Sequence, residues 1–223
     1  MPQKAAAIVQ RFTELKGDNA SFALFPHQLL GVRPAPGRDP RAPPVSSMAR
    51  AFVDRLFEVH VHSCCPATGQ PAMSLAEFAD FLLAWNYRGY APSTKCALRP
   101  ALLHAARARR SSVVKHQDAR RYFFKVLDVE NTGRLSAAVV DMWCTHVRAV
   151  AVDEMDAIFD YEPKDVKDEI WDMVMPKDPR FITFDDLMAC KLSDTICGIL
   201  VDGQCHYEYD QRESLQQQAQ EEY

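Results

Sequence analysis

Arg121-Tyr-Phe-Phe-Lys-Val-Leu-Asp128-Val-Glu130-Asn-Thr132-Gly133-Arg134-Leu135-Ser-Ala-Ala-Val139-Val-Asp-Met-Trp143 decides the fold. Tyr122, Phe123, Val126 and Leu127 recur at the spacing of a buried helix face. An acidic loop follows, and Val139, Val140, Met142 and Trp143 leave it as a second apolar run. Helix, acidic loop with an internal glycine, helix is the layout of an EF-hand. Calcium takes about six to eight oxygens around a tight turn, so oxygen-bearing side chains alternate along such a loop. Asp128 falls at loop position 1, Glu130 at 3, Thr132 at 5 and Arg134 at 7. Gly133 falls at position 6, where the backbone turns with positive φ. Leu135 holds position 8, where paired loops share a short strand contact, and position 12, normally a bidentate Glu, is Val139. The expectation is a retained scaffold around a broken cage. Asp128, Glu130, Thr132 and Arg134 would form a vestigial loop that binds calcium weakly or not at all, and no other cofactor is implied.

Downstream, Pro163 opens a helix with Val166, Ile170, Trp171 and Val174 facing inward. Met175 to Asp186 then reads as a fourth loop, with Ile182 at position 8 and Asp186 at position 12. Pro176, Pro179 and the missing carboxylates deny it calcium. Thr183 caps a helix reaching Cys190, and Asp194 to Val201 forms one more short segment. Upstream, residues 3–15 form an amphipathic helix through Ile8, Phe12 and Leu15. Only Asp18, Asn19 and Ser21 offer side-chain oxygens in the loop after Lys16. Ser47 to His62 reads as a helix buried through Ala51, Phe52, Leu56, Phe57 and Val59, with Ser46 or Ser47 as cap. Met73 to Trp85 begins as a strand and becomes a helix, with Ser74 and Glu77 forming a capping box. It reads as the back half of a second hand whose loop has lost its acids.

The fold class expected is all-α: two pairs of degenerate EF-hands, with Leu135 opposite Ile182. Helices are expected over residues 3–15, 47–62, 75–86, 120–127, 137–149, 163–174 and 184–190. Residues 1–86 form the first pair, interrupted by a Pro-rich insertion at 31–44, and residues 118–215 the second pair with a C-terminal segment. Residues 87–117 lie between them, and residues 216–223 form a Gln-rich acidic tail expected to be disordered.

At 48% hydrophobic residues the chain can bury a real core, and a net charge of −4 argues against nucleic acid as the partner of the whole molecule. The apolar runs fall short of a membrane span, and no signal-peptide core precedes Arg11. The seven cysteines are irregularly spaced and read as reduced thiols in a cytosolic protein. His60, His62, Cys64 and Cys65 resemble metal ligands but have no second cluster at useful spacing. Between residues 87 and 117 stand Arg88, Lys95, Arg99, Arg107, Arg109, Arg110 and Lys115, with no acid. This stretch fits an acidic protein surface, RNA or lipid headgroups, or lies on the chain's own acidic domain, the favoured reading.

A more specific signal lies in Asp165-Val-Lys-Asp-Glu-Ile-Trp-Asp-Met-Val-Met-Pro-Lys-Asp-Pro-Arg-Phe-Ile-Thr-Phe-Asp-Asp-Leu187. With Asp194-Thr-Ile, Ile199-Leu-Val-Asp202 and Tyr209-Asp-Gln-Arg212-Glu213-Ser-Leu215, it closely resembles the C-terminal EF-hand region of B″-type regulatory subunits of protein phosphatase 2A. Within that family the pattern looks most like the gamma type of animals and plant TONNEAU2/FASS. The loop from Leu127 to Leu135 and the helix near Glu77 fit in order, so the likeness covers most of 47–86 and 119–215. The chain departs from that pattern in its first loop, where Lys16 and Gly17 replace acids, and in the insertions at 31–44 and 87–117. It also starts at the edge of the family's EF-hand region.

The resemblance implies a non-catalytic regulatory subunit that joins the phosphatase scaffold and catalytic subunits and directs them to cytoskeletal or centrosomal substrates. It implies a cytoplasmic adaptor associated with the cytoskeleton or centrosome, while the residues themselves imply weak or absent calcium binding and no membrane or nucleic-acid partner. Lys177, Asp178 and Arg180 in the fourth loop, and Tyr209, Arg212 and Glu213 near the C-terminus, are the candidate partner-binding residues; Arg212 also has Glu208 within local reach. Trp171 and Tyr122 are expected in the core. The alternative is an EF-hand calcium sensor or buffer, which requires a complete loop. An enzyme would need a nucleophile–base pair, a phosphate-binding glycine loop or metal-ligand spacing, and none is legible.

Overall fold

A computed structural model describes residues 2–16, 23–30, 48–87, 112–155, 157–159 and 162–212. The Pro-rich insertion, nearly all of the basic stretch, most of the first loop and the C-terminal tail lie outside these residues. The elements run α1 (Pro2–Lys16), α2 (Pro26–Leu30), α3 (Arg50–His60), α4 (Leu75–Tyr87) and α5 (Ser112–Leu127). Then come β1 (Arg134–Ser136), α6 (Ala137–Met155), α7 (Pro163–Val174), β2 (Phe181–Thr183), α8 (Phe184–Ala189), α9 (Ser193–Val201) and α10 (Gly203–Asp210).

The described residues are mainly helical, with one small sheet in which β1 and β2 pair antiparallel. Leu135 stands opposite Ile182, as position counting requires, and both are buried. The first pair repeats the device in miniature. Leu24 and Met73 exchange backbone hydrogen bonds of 2.8 and 2.7 Å and are both fully buried. An apolar residue at the centre of each loop pair therefore seals the backbone contact from water, which is why so short a ladder persists.

One hydrophobic cluster runs through both pairs. Phe52 of α3 lies 6.2 Å from the rings of both Phe123 and Trp143, and Trp85 of α4 lies 6.1 Å from Phe123. Trp143 buries its indole and donates Nε1–H to the Leu127 carbonyl at 2.9 Å, satisfying an acceptor at the end of α5. Arg120 of α5 and Asp194 of α9 add an ion pair of 2.6 Å across the same half.

The helix ends differ from the sequence expectation in instructive ways. Helix α3 begins at Arg50, with Ala49 at its N-cap making no side-chain bond, so no serine caps it. Helix α5 starts at Ser112, and α6 continues to Met155. Helix α10 was not anticipated. The sequence reading ends its last short segment at Val201, but the Asp202 carboxylate accepts the Gln204 N–H at 3.1 Å and starts a new helix. Trp171 and Tyr122, expected in the core, are half-buried and pack on its edge.

Candidate functional site

Three of the loops show what each does with its acids. In the third loop, residues 128–139, the Asp128 carboxylate accepts the N–H groups of Thr132 and Gly133 at 3.0 and 2.7 Å. Gly133 takes φ +73°, the conformation that the turn demands of position 6. The Thr132 hydroxyl donates to the Arg134 carbonyl at 3.3 Å, so two oxygens that would face an ion bind each other. Val139 is packed into the core. The Arg134 side chain leaves the loop and stacks on Phe181, its guanidinium carbon 4.3 Å from the ring centroid. Glu130 is exposed at the rim. A cation does reach this loop, but from within the chain. Arg55 of α3 donates Nη2–H to the Asp128 carbonyl at 3.1 Å and to Asn131 Oδ1 at 2.6 Å.

The second loop, residues 66–77, keeps an acid at position 12. Glu77 Oε1 accepts the N–H groups of His62 and Ser63 at 2.7 and 3.1 Å, and Oε2 accepts the Ser74 N–H and hydroxyl, each at 2.8 Å. Burial alone would raise its pKa, but the bonds from Ser74, His62 and Ser63 outweigh it and bring the carboxyl down to about 2. The fourth loop, residues 175–186, behaves alike. Buried Asp186 accepts the Thr183 N–H at 3.1 Å and its hydroxyl at 2.6 Å. Burial works against its ionisation, and bonds from Thr183 and the Lys177 N–H hold it below the ordinary carboxylate range.

These donor sets do not fit calcium. Asp128, Glu77 and Asp186 already serve as acceptors for backbone N–H or hydroxyl groups, Glu130 stands exposed at the rim, and Val139 contributes no oxygen. Among the described residues no group of three His, Cys, Asp or Glu side chains could hold a metal ion. His60 instead stacks on Tyr122 with ring centroids 3.6 Å apart, and burial lowers its pKa.

The partner-binding candidates separate into two groups. Asp178 accepts Arg180 Nε–H at 2.9 Å, Nη2–H at 2.6 Å and the Arg180 N–H at 3.0 Å. The Arg180 side chain beside it drops the Asp178 carboxyl to about 2. Trp171 Nε1–H pins the same loop by donating to the Pro179 carbonyl at 3.0 Å. Lys177 and Arg180 stand exposed on this fixed frame, next to Met175, which is 79% exposed at φ +48°.

Tyr209 and Arg212 turn to α7 instead. Tyr209 donates its hydroxyl to Glu169 at 2.7 Å. Arg212 lies 3.5 Å from the same carboxylate, donates to the Tyr209 carbonyl at 2.8 Å and covers the Tyr209 ring at 4.1 Å. Its partner is thus Glu169 and not Glu208, which accepts from Gln204. Glu213 lies outside the described residues.

The sequence reading missed Phe181 as a neighbour of this surface. Arg134 and Phe181 both hold position 7 of paired loops, which makes them diagonal cross-strand neighbours, a signal available from the register alone.

No family model matches the chain. Curated relatives do. The B″ subunit gamma of protein phosphatase 2A from Xenopus tropicalis is 40% identical over 167 residues, 74% of this chain. The Homo sapiens subunit gamma is 31% identical over 173 residues, 76% of the chain. The probable B″ subunit TON2 of Arabidopsis thaliana is 27% identical over 173 residues, 77% of the chain. The chain resembles the B″ regulatory subunits of protein phosphatase 2A. It spans about 30% of the length of these B″ relatives. A chain from a solved PP2A PR70 holoenzyme shares the fold, with a TM-score of 0.60 at 18% identity, covering 90% of this chain and 58% of that one.

Proposed function

We propose that the chain acts as a non-catalytic regulatory subunit of protein phosphatase 2A, of the B″ type. The observation that carries this reading is the likeness to B″ subunits over about three quarters of the chain. The regulatory role is borrowed from the names of those relatives, of which the chain spans less than a third. In this reading a helical surface holds the phosphatase scaffold and catalytic subunits and directs them to substrates, for which cytoplasmic targets at the cytoskeleton or centrosome are our proposal.

The fourth loop is the best candidate for the contact. Its backbone is fixed by the Trp171–Pro179 bond and the Asp178–Arg180 pair, so Lys177 and Arg180 are presented without an ordering cost at binding. Tyr209 and Arg212 bond across to Glu169 on α7 and so tie the C-terminal segment to that helix, which favours a structural role for them. The test is co-purification from cells expressing the tagged chain. Wild type is expected to bring down both phosphatase subunits, and Lys177→Glu with Arg180→Glu to lose them while remaining folded. A wild-type chain that recovers neither subunit would refute the role.

A further inference from the structure

We propose that the outward face of the paired strands, built on Arg134, Phe181 and Arg180, recognises a carboxylate-rich peptide segment of a partner protein. The proposal deepens the reading above and rests on it for where such a partner is found. Register assembles the face. Arg134 stands opposite Thr183, so Phe181, two residues back along β2, is its diagonal neighbour on the same side of the ladder. The guanidinium carbons of Arg134 and Arg180 lie 4.3 and 5.6 Å from the Phe181 ring centroid. Arg180 is further held by Asp178 through bonds of 2.9 and 2.6 Å. Arg134 is exposed and makes no ion pair among the described residues, and its charge is felt at Asp178, whose carboxyl it helps to lower.

That arrangement suits one kind of ligand. A guanidinium resting on an aromatic face is oriented before binding and weakly hydrated, and its planar edge matches a carboxylate with two parallel N–H···O bonds. Exposed Met175 and Lys177 extend the loop's surface with apolar area and a further cation. Arg and aromatic side chains on a rigid frame are also the usual anchors of protein interfaces. Nucleic acid or a lipid surface would call for a longer basic track than two arginines with Asp178 among them, on a chain of net charge −4. The ligand is therefore an acidic peptide.

The test needs no phosphatase. A fluorescein-labelled peptide of alternating Glu and Leu is titrated by anisotropy at about physiological ionic strength, where long-range attraction is largely screened. Saturable binding to wild type is expected, weakened about tenfold by Arg134→Ala through loss of a charge-assisted pair. Arg134→Lys keeps the charge without the planar fork and should recover only part of that loss. Arg50→Ala, on an exposed residue of α3, should bind as wild type does. Circular dichroism of each variant establishes that it is folded. Absent binding, equal binding by wild type and Arg134→Ala, or tighter binding of an oligouridine through the same arginine overturns the proposal. A chain that binds the peptide through Arg134 but recovers no phosphatase subunit refutes the regulatory role and leaves this site standing. A chain that recovers both subunits but not the peptide does the reverse.

Discussion

The second and third loops meet the same difficulty from opposite ends. Each inherits a turn shaped for an ion, and each has lost a different part of the cage. The third loop keeps its first acid, Asp128, and replaces the last with Val139, which packs into the core. The second loop keeps the last acid, Glu77, and has no other. In both, the retained carboxylate collects N–H groups from nearby backbone. A turn can thus outlive its metal if one carboxylate acceptor remains to gather the donors that the bent backbone exposes. The third loop adds Arg55, a cation fixed to α3, so its shape is tied to the first pair as well.

The largest effect should come from returning the third loop to its ligand-bearing form. Val139→Glu places a carboxylate in a core position and should cost about 4 kcal/mol without calcium, read as a lower midpoint in urea denaturation. Asp128, Glu130, Thr132 and the Arg134 carbonyl remain in place, so millimolar calcium should return part of the loss in this variant. Val139→Ala is the control, destabilised by the cavity alone and indifferent to calcium. If calcium stabilises both variants equally, the comparison between the loops fails.

Acid should act on the C-terminal half first. His206 is buried with Nδ1 3.2 Å from the Ile199 carbonyl. Burial, with Arg148 nearby, drops its pKa to about 4 despite the bond to Ile199. The folded value lies below the unfolded one near 6.5, so the unfolded state binds the proton more readily. Stability is complete above the unfolded value and falls as pH drops toward 4, by about 3 kcal/mol in all. Denaturation between neutral pH and that limit checks it, and His206→Gln should flatten the dependence.

Glu77 tests the N-terminal half at lower pH. Its carboxyl titrates near 2 in the fold against 4.5 ordinarily, so its contribution persists above 4.5 and is lost as pH falls toward 2. Discounted for partial exposure, the loss is about 2 kcal/mol. Glu77→Gln at neutral pH should produce a similar loss, because a neutral amide cannot accept four donors with the same strength. Protection of the His62 and Ser63 amides from hydrogen exchange should fall with it. If those amides stay protected, the gathering of donors by Glu77 is incidental.

Much of this was legible in the sequence because it is local. Counting positions from Asp128 and Met175 placed Leu135 against Ile182, the Ser74–Glu77 spacing announced its capping box, and Thr183 was legible as a cap, to which the structure adds Asp186 as the second half of a box. What stayed hidden depends on distant chain. Arg55 reaches the third loop across 76 residues of sequence to Asn131, and Glu77 takes N–H groups from a segment before its own loop. No spacing rule carries either. Helix α10 was missed for another reason: an Asp-Gly pair serves a turn or an N-cap equally, and packing of the following residues chose the cap.

The smallest expected effect is the response of the unaltered chain to calcium. A sensor loop reaches a dissociation constant of about 10⁻⁷–10⁻⁵ M through the charge of its ligands and a bidentate Glu at position 12. The third loop offers Val139 there, and its Asp128 and Thr132 oxygens are engaged by Thr132, Gly133 and Arg134. In the second and fourth loops the position-12 acids are the only carboxylates at ligand positions, and ionisation of each is already stabilised by hydrogen bonds. An ion would have to break those bonds and still lack most of its oxygens. Isothermal titration should therefore give no saturating heat in the micromolar range, and the unfolding midpoint should not move with calcium at ordinary cellular levels. A micromolar site in wild type would mean that the backbone donors yield to the ion, and the likeness between the second and third loops would dissolve into two unrelated accidents.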